Sequence, residues 1–162
     1  MAKPAKGIPK QFHTITPGLI VKGADKAIDF YKKAFGAEEM VRMAGPDGRS
    51  IMHAELRIGD SVFFVGDESP EMGARSPKSI GGSPCSLHLY VANVDAAFKR
   101  AVDAGAQVRM PVTDMFWGDR YGKVEDPFGH AWGIATPKEE LTEDEIRQRA
   151  QEFFAQMGKQ KH

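Results

Sequence analysis

Apolar residues recur at helical spacing over one early stretch of the chain. In LIVKGADKAIDFYKKAFGAEE, Ala24, Ala27, Ile28, Tyr31 and Phe35 fall on one helix face. A strand precedes them, and Gly36 stands where a left-handed residue ends a helix. The period then drops to two. EEMVRMA, SIMHAELRI and SVFFVGD read as three strands, divided by the turns PDG and GD. MGARSPKSIGGSP follows without periodicity, and its serines, glycines and prolines predict a linker or mobile loop.

The second half repeats the order. CSLHLYVANVDAAFKRAVDAGAQVRM reads as strand, helix, glycine stop and strand, and RYGKVEDP and HAWGIAT supply two more strands. Asp25 and Asp95, Ala27 and Ala97, Glu55 and Glu125, and Gly59 and Gly129 are each separated by 70 positions, while Gly36-Ala37 and Gly105-Ala106 slip by one. A whole order of elements matched at a nearly constant offset marks an internal duplication. Within EDPFGH, Pro127 suits the second position of a type I turn and Gly129 the positive-φ residue after it. Past Pro137, Thr142 with Glu145 forms a capping-box signature. Ile146, Ala150, Phe153 and Met157 then make an apolar stripe, for its own domain or for a partner. The expected divisions are a leader at 1–13, a first unit at 14–68, a linker at 69–83, a second unit at 84–137, and a C-terminal helix and tail at 138–162.

Composition narrows the function. The 162 residues are 41% hydrophobic and 27% charged, as in ordinary globular domains. Twenty-two basic side chains balance 22 acidic ones, so no field draws the chain to nucleic acid or an anionic membrane. The lysines of MAKPAKGIPKQF are followed by no apolar signal core, and no apolar run approaches the ~20 residues of a bilayer span. The single Cys85 has no internal disulfide partner, and the cytoplasm is the expected compartment.

Candidate chemistry gathers in few places. FWGDRYG offers flat faces at Trp117 and Tyr121, a planar donor fork at Arg120, and close backbone approach at Gly118 and Gly122. The plainer reading packs the two aromatics at a rim and pairs Arg120 with an aspartate. His53 and Glu55 share one strand face. Cys85 and His88 lie three apart, on opposite faces, so Cys85 reads as a buried structural thiol. His13 and His162 fall at exposed ends, and His130 reads as a turn cap. No phosphate loop, dinucleotide fingerprint or G-x-S-x-G elbow is present.

AIDFYKKAFGA (27–37), VDAAFKRAVDAGA (94–106) and VEDPFGHAWGIA (124–135) resemble the vicinal oxygen chelate superfamily of glyoxalase I, bleomycin-resistance proteins and extradiol dioxygenases, and FYxxxFGA with DPFGHxW looks most like its PhnB-like subgroup. The resemblance implies an α+β fold of two βαβββ units, each curling into half of an open barrel with helices on the convex side. Alternation then predicts that Ala54, Leu56, Ile58, Leu87, Leu89, Val91, Trp132 and Ile134 face helices. His53, Glu55, Arg57, Ser86, His88, Tyr90, Lys123 and Glu125 take the concave side.

Relatives that do chemistry hold a divalent metal through His or Glu at four positions. Here those positions fall on Thr16, Phe63, Ser86 and Gly133, none a metal donor of the required kind. The resemblance thus implies a small-molecule-binding protein without the usual metal, holding an aromatic or anionic compound with His53, Glu55, Ser86, His88, Tyr90, Trp117, Arg120 and Tyr121. It also implies a homodimer. One alternative is a metal-dependent lyase, isomerase or dioxygenase with Glu55 as base or ligand, and His53, Glu55 and His88 holding Zn, Ni, Mn or Fe. Another is a dimeric structural subunit with a filled pocket.

Overall fold

A computed structural model describes residues 7–159. The chain runs β1 (Gly18–Val21), α1 (Ala24–Phe35), β2 (Glu38–Ala44), β3 (Ile51–Ile58) and β4 (Ser61–Asp67). After a connecting segment come β5 (Ser86–Tyr90), α3 (Val94–Asp103), β6 (Gln107–Asp114), β7 (Asp119–Glu125) and β8 (Ala131–Pro137). Each half forms a four-stranded sheet, ordered β1-β4-β3-β2 and β5-β8-β7-β6. Only β1–β4 and β5–β8 are parallel. This is the expected α+β architecture.

The two helices start with borrowed caps. The Asp67 carboxylate at the end of β4 accepts from Gly23 N and Ala24 N at 2.9 and 2.8 Å, satisfying orphan donors of α1. The Asn93 side chain accepts from Ala96 N, and Thr136 Oγ1 accepts from Val94 N at 2.8 Å for α3. Gly36 ends α1 at φ 68, the left-handed geometry its position implied. Arg100 of α3 then donates from Nε to Lys33 O at 2.6 Å, tying the end of α1 to its counterpart.

The helices lie against each other and against their own sheets. Alternation sorts the strands as expected: Ala54, Leu56 and Ile134 are fully buried and Trp132 nearly so, while Ile58, Leu87 and Val91 pack partly buried against the same core. Tyr31 lies at the centre. Its ring is 5.7 Å from Phe63 and 5.5 Å from Trp132, so α1 joins the apolar faces of both sheets.

Several local expectations are corrected. The segment 69–83 contains a 3₁₀ turn (Pro70–Met72) and a short helix, α2 (Pro77–Ile80), rather than an unstructured loop. Glu68 holds it: one carboxylate oxygen accepts from Ser76 N, Ser76 Oγ and Ser79 Oγ. Cys85 is exposed, because β5 begins only at Ser86 and the thiol precedes the sheet. The strand predicted to end near Met110 runs on to Asp114, and Pro111 is tolerated because β6 is an edge strand. FWGDRY turns tightly through Gly118 (φ 100), and β7 begins at Asp119, one residue before the strand expected from Arg120.

The C-terminal helix α4 (Glu143–Lys159) begins with the expected capping box: Thr142 N and Oγ1 both donate to Glu145 Oε2 at 2.8 Å. None of its residues is buried, and Phe153 and Phe154 rest on Phe116. His162 lies outside the described residues.

Candidate functional site

Strand register decides which side chains meet on the faces away from the helices. In the first sheet Glu55 is level with Val41 and Phe64, and His53 with Met43. His53 Nε2 lies 3.4 Å from Glu55 Oε1, and its ring stands 4.8 Å from Phe64, which Phe12 meets edge-on. Arg57 is engaged by Glu38 at 2.5 Å.

In the second sheet His88 is level with Gly133 and Lys123, and Tyr90 with Ala135 and Tyr121. Here the side chains form an aromatic surface. The His88 and Tyr121 rings are parallel within 9° at 5.7 Å, Tyr90 lies 4.6 Å from His88, and Trp117 meets Tyr121 edge-on at 5.9 Å. Trp117 Nε1 donates to Asp119 Oδ2 at 3.1 Å, which orients the indole. Gly133 makes this possible. A Cβ there would stand 2.7 Å from Tyr121 Cε2 and 2.8 Å from its hydroxyl, so the phenol ring occupies the space a side chain would need.

The four positions implied as metal ligands resolve differently. Thr16 Oγ1 donates to His13 O, Ser86 is exposed, and Gly133 lies beneath Tyr121. Phe63 faces the helices, and Phe64 instead is level with Gly18 as Gly133 is with His88. The reason is the shorter turn of the first unit, which moves its last strand by one residue relative to the second. Phenyl and hydroxyl groups do not suit a divalent ion in either register. Among the described residues no three His, Cys, Asp or Glu side chains are arranged to hold a metal; His88 does not join His53 and Glu55.

Arg120 is on the other face. It shares the parity of Gly122, whose Cβ would strike Phe98 of α3. Its guanidinium grips Asp95 of α3 through Nε and Nη2, both at 2.9 Å, and reaches Asp114 at 3.0 Å. These hydrogen bonds hold the Asp95 carboxyl below its ordinary value and push Arg120 further up. Of the eight expected residues, the fold thus unites His88, Tyr90, Trp117 and Tyr121. It sets His53 with Glu55 on the other sheet and leaves Ser86 at the seam where β1 and β5 approach.

Two clefts flank that seam. One, about 410 Å³, is bounded by His13, Ile15, the β3–β4 turn, the stretch Leu87–Tyr90 of β5 and Trp132. The other, about 290 Å³, opens beneath α2 and reaches Ser86 and His130.

Asp126 has a structural role that its sequence context did not signal. Its Oδ1 accepts from Phe128 N and His130 N, and its Oδ2 from Tyr31 Oη at 2.7 Å and Trp132 Nε1 at 2.9 Å. Burial foremost, with the Asp126 charge beside it, pushes the Tyr31 hydroxyl well above the ordinary tyrosine range. His130 goes beyond its turn: Nε2 donates to Ile20 O of the first unit at 2.9 Å. The Asp-Pro-x-Gly turn chemistry was readable; its partners 95 and 110 residues away were not.

With this geometry in hand, the sequence can be set beside known proteins. The model of the family described as the Glyoxalase/Bleomycin resistance protein/Dioxygenase superfamily matches residues 11–134. An uncharacterized Mycobacterium tuberculosis protein is 48% identical over 136 residues, covering 82% of this chain and 79% of that one. A solved Arabidopsis thaliana gene product is 33% identical with a TM-score of 0.62, over 76% of this chain and 98% of that one. A Bacillus cereus PhnB protein shares the fold at 18% identity, with a TM-score of 0.60 over 76% of this chain and 99% of that one.

Proposed function

The chain belongs to the glyoxalase/bleomycin resistance protein/dioxygenase superfamily, and from that premise we propose that it binds a small aromatic molecule on the open face of the second sheet, without the divalent ion of its catalytic relatives. The observation that carries this reading is the placement of Tyr121 over Gly133, parallel to His88. A ring lies where a metal ligand would project, and exposed Tyr90 and half-buried Trp117 extend its surface. Flat, preordered aromatics favour a planar guest by offset stacking, at about 0.5–1.5 kcal/mol per ring pair beyond area burial. Lys123, level with Gly133, adds attraction for an anionic substituent.

In this reading the protein acts as a homodimer. Val41 and Met43 stay exposed beside Glu55 and His53 on the open face of the first sheet, and a second copy would cover them. Fluorescence of the tryptophans, followed against a library of planar aromatic acids, tests the binding. Tyr121→Ala and Tyr90→Ala are expected to weaken any hit about tenfold; hits indifferent to both changes would refute the assignment. Light scattering of the purified chain tests the dimer.

The close approach of His53 to Glu55 favours a second reading, a metal-dependent lyase, isomerase or dioxygenase. This pair needs a third donor. Elemental analysis after supplementation with Zn, Ni, Mn or Fe decides it: less than about a tenth of an ion per chain would eliminate this reading.

A further inference from the structure

The cleft beneath α2 is separate from the aromatic surface, and we infer that it is a second binding site, for a small apolar monocarboxylate. Its volume, about 290 Å³, corresponds to roughly ten water molecules at liquid density. Its walls are apolar where the two units meet: Pro17, Leu19 and Ile20 from the first, Leu87 from the second, and Pro77 with Ile80 from α2 above. Two polar residues, Arg75 and His130, also line it.

Arg75 borders the cleft, and no acidic side chain among the described residues lies within 4 Å of its guanidinium. Arg49 and Arg100 likewise have no acidic partner among the described residues, but Arg100 donates to backbone carbonyls at the end of α1 and neither borders this cleft. A guanidinium beside an apolar wall is suited to a carboxylate, which it binds through two parallel hydrogen bonds.

His130 supplies the second polar group. The Ile20 carbonyl can only accept, so the ring nitrogen facing it, Nε2, carries the proton. In the neutral ring Nδ1 then carries the lone pair; it has no hydrogen-bond partner among the described residues, yet no buried side-chain nitrogen among them is unsatisfied. Nδ1 is therefore not fully enclosed, and His130 lines the cleft. A lone pair at this end of the site accepts from a donor on the guest, such as a hydroxyl or amide N–H. The guest class is thus an apolar body with a carboxylate at one end, preferably with a donor along it.

The roof is built from the same segment that carries Arg75. Glu68 grips Ser76, the residue after Arg75, and Ser79, and so fixes the backbone beside Arg75 and α2.

Cys85, the only cysteine, lines the cleft and is exposed, so its alkylation reports occupancy. The experiment follows the rate of Cys85 modification by iodoacetamide, a neutral reagent, in the full-length protein with phenylacetate, mandelate, 2-phenylethanol or phenethylamine. Phenylacetate should slow the reaction at least about fivefold at saturation, mandelate should act at lower concentration, and the alcohol and amine should have little effect. Arg75→Ala should raise the half-protecting concentration of phenylacetate about tenfold or more, as expected for a charge-assisted hydrogen bond, while its thermal midpoint verifies the fold. Tyr121→Ala should leave protection unchanged. Equal protection by the amine, indifference to Arg75→Ala, or loss of protection in Tyr121→Ala would each overturn the proposal. The last result would transfer the carboxylate to the aromatic surface of the second sheet. Conversely, failure of that surface to bind planar guests would leave protection at Cys85 untouched.

Discussion

Tyr31 and Asp126, from different halves of the chain, meet in the core at 2.7 Å. The contact joins α1 to the β7–β8 turn, and the same carboxylate secures Trp132 and two amides of its own turn. Tyr31→Phe removes one of four donors and should cost about 1–2 kcal/mol, whereas Asp126→Ala leaves four donors without an acceptor and should cost about 3 kcal/mol or more. Urea denaturation measures both. The pH dependence has a definite sign. A tyrosine whose folded pKa is raised lends stability below its unfolded value near 10, and that stability is lost as pH rises past it. Spectrophotometric titration should therefore show one of the three tyrosines ionising only with unfolding.

Gly133→Ala should drive the Tyr121 ring off the strand, because its Cβ and the ring cannot share the space. Overpacking of this kind costs about 1–3 kcal/mol. Adding Tyr121→Ala removes the clash, so the double variant should be more stable than the two single losses summed. A double-mutant cycle by thermal denaturation reads this coupling.

Glu68 is held down to about 2 by the Ser79 and Ser76 hydroxyls and the Ser76 amide. Since its folded value lies below its ordinary 4.5, the anion stabilises the pinned linker above that pH, and the contribution drains away as pH falls toward 2. Amide exchange in residues 76–82 should accelerate through this window in the native protein. In Glu68→Gln it should already be fast at neutral pH.

Arg120→Ala should lower the thermal midpoint modestly, through loss of the Asp95 clamp, and leave aromatic binding unchanged. The opposite pattern would mean that its side chain reaches the open face.

Thr142→Ala removes the acceptor at the start of α4 and should weaken that helix by about 1 kcal/mol. Because α4 rests mainly on Phe116, its exchange protection should fall while the global unfolding midpoint remains.

What was legible in the sequence follows a physical division. Alternation along β3 and β5 placed Ala54, Leu56 and Leu87 toward the helices, because burial on one face imposes a period of two. The capping box at Thr142 and the left-handed Gly36 are local chemistry and were equally readable. Readings that depended on a distant partner did not survive. The linker looked structureless because its order comes from Glu68 rather than from periodicity. For Arg120 the pairing with an aspartate was one of two readings, and only the fold shows that β7 turns it toward Asp95 of α3. Cys85 looked buried because no base shares its strand face, which says nothing of exposure, and Phe63 was one position out because the two units turn with different lengths.

The Gly133–Tyr121 arrangement also bears on how this chain could change. A carboxylate placed at position 133 would contend with the Tyr121 ring for the same space. Tyr121 would have to shrink first, and that step dismantles the aromatic surface beside His88. On the proposed binding reading, a metal ligand at position 133 and the stacked Tyr121–His88 surface exclude one another.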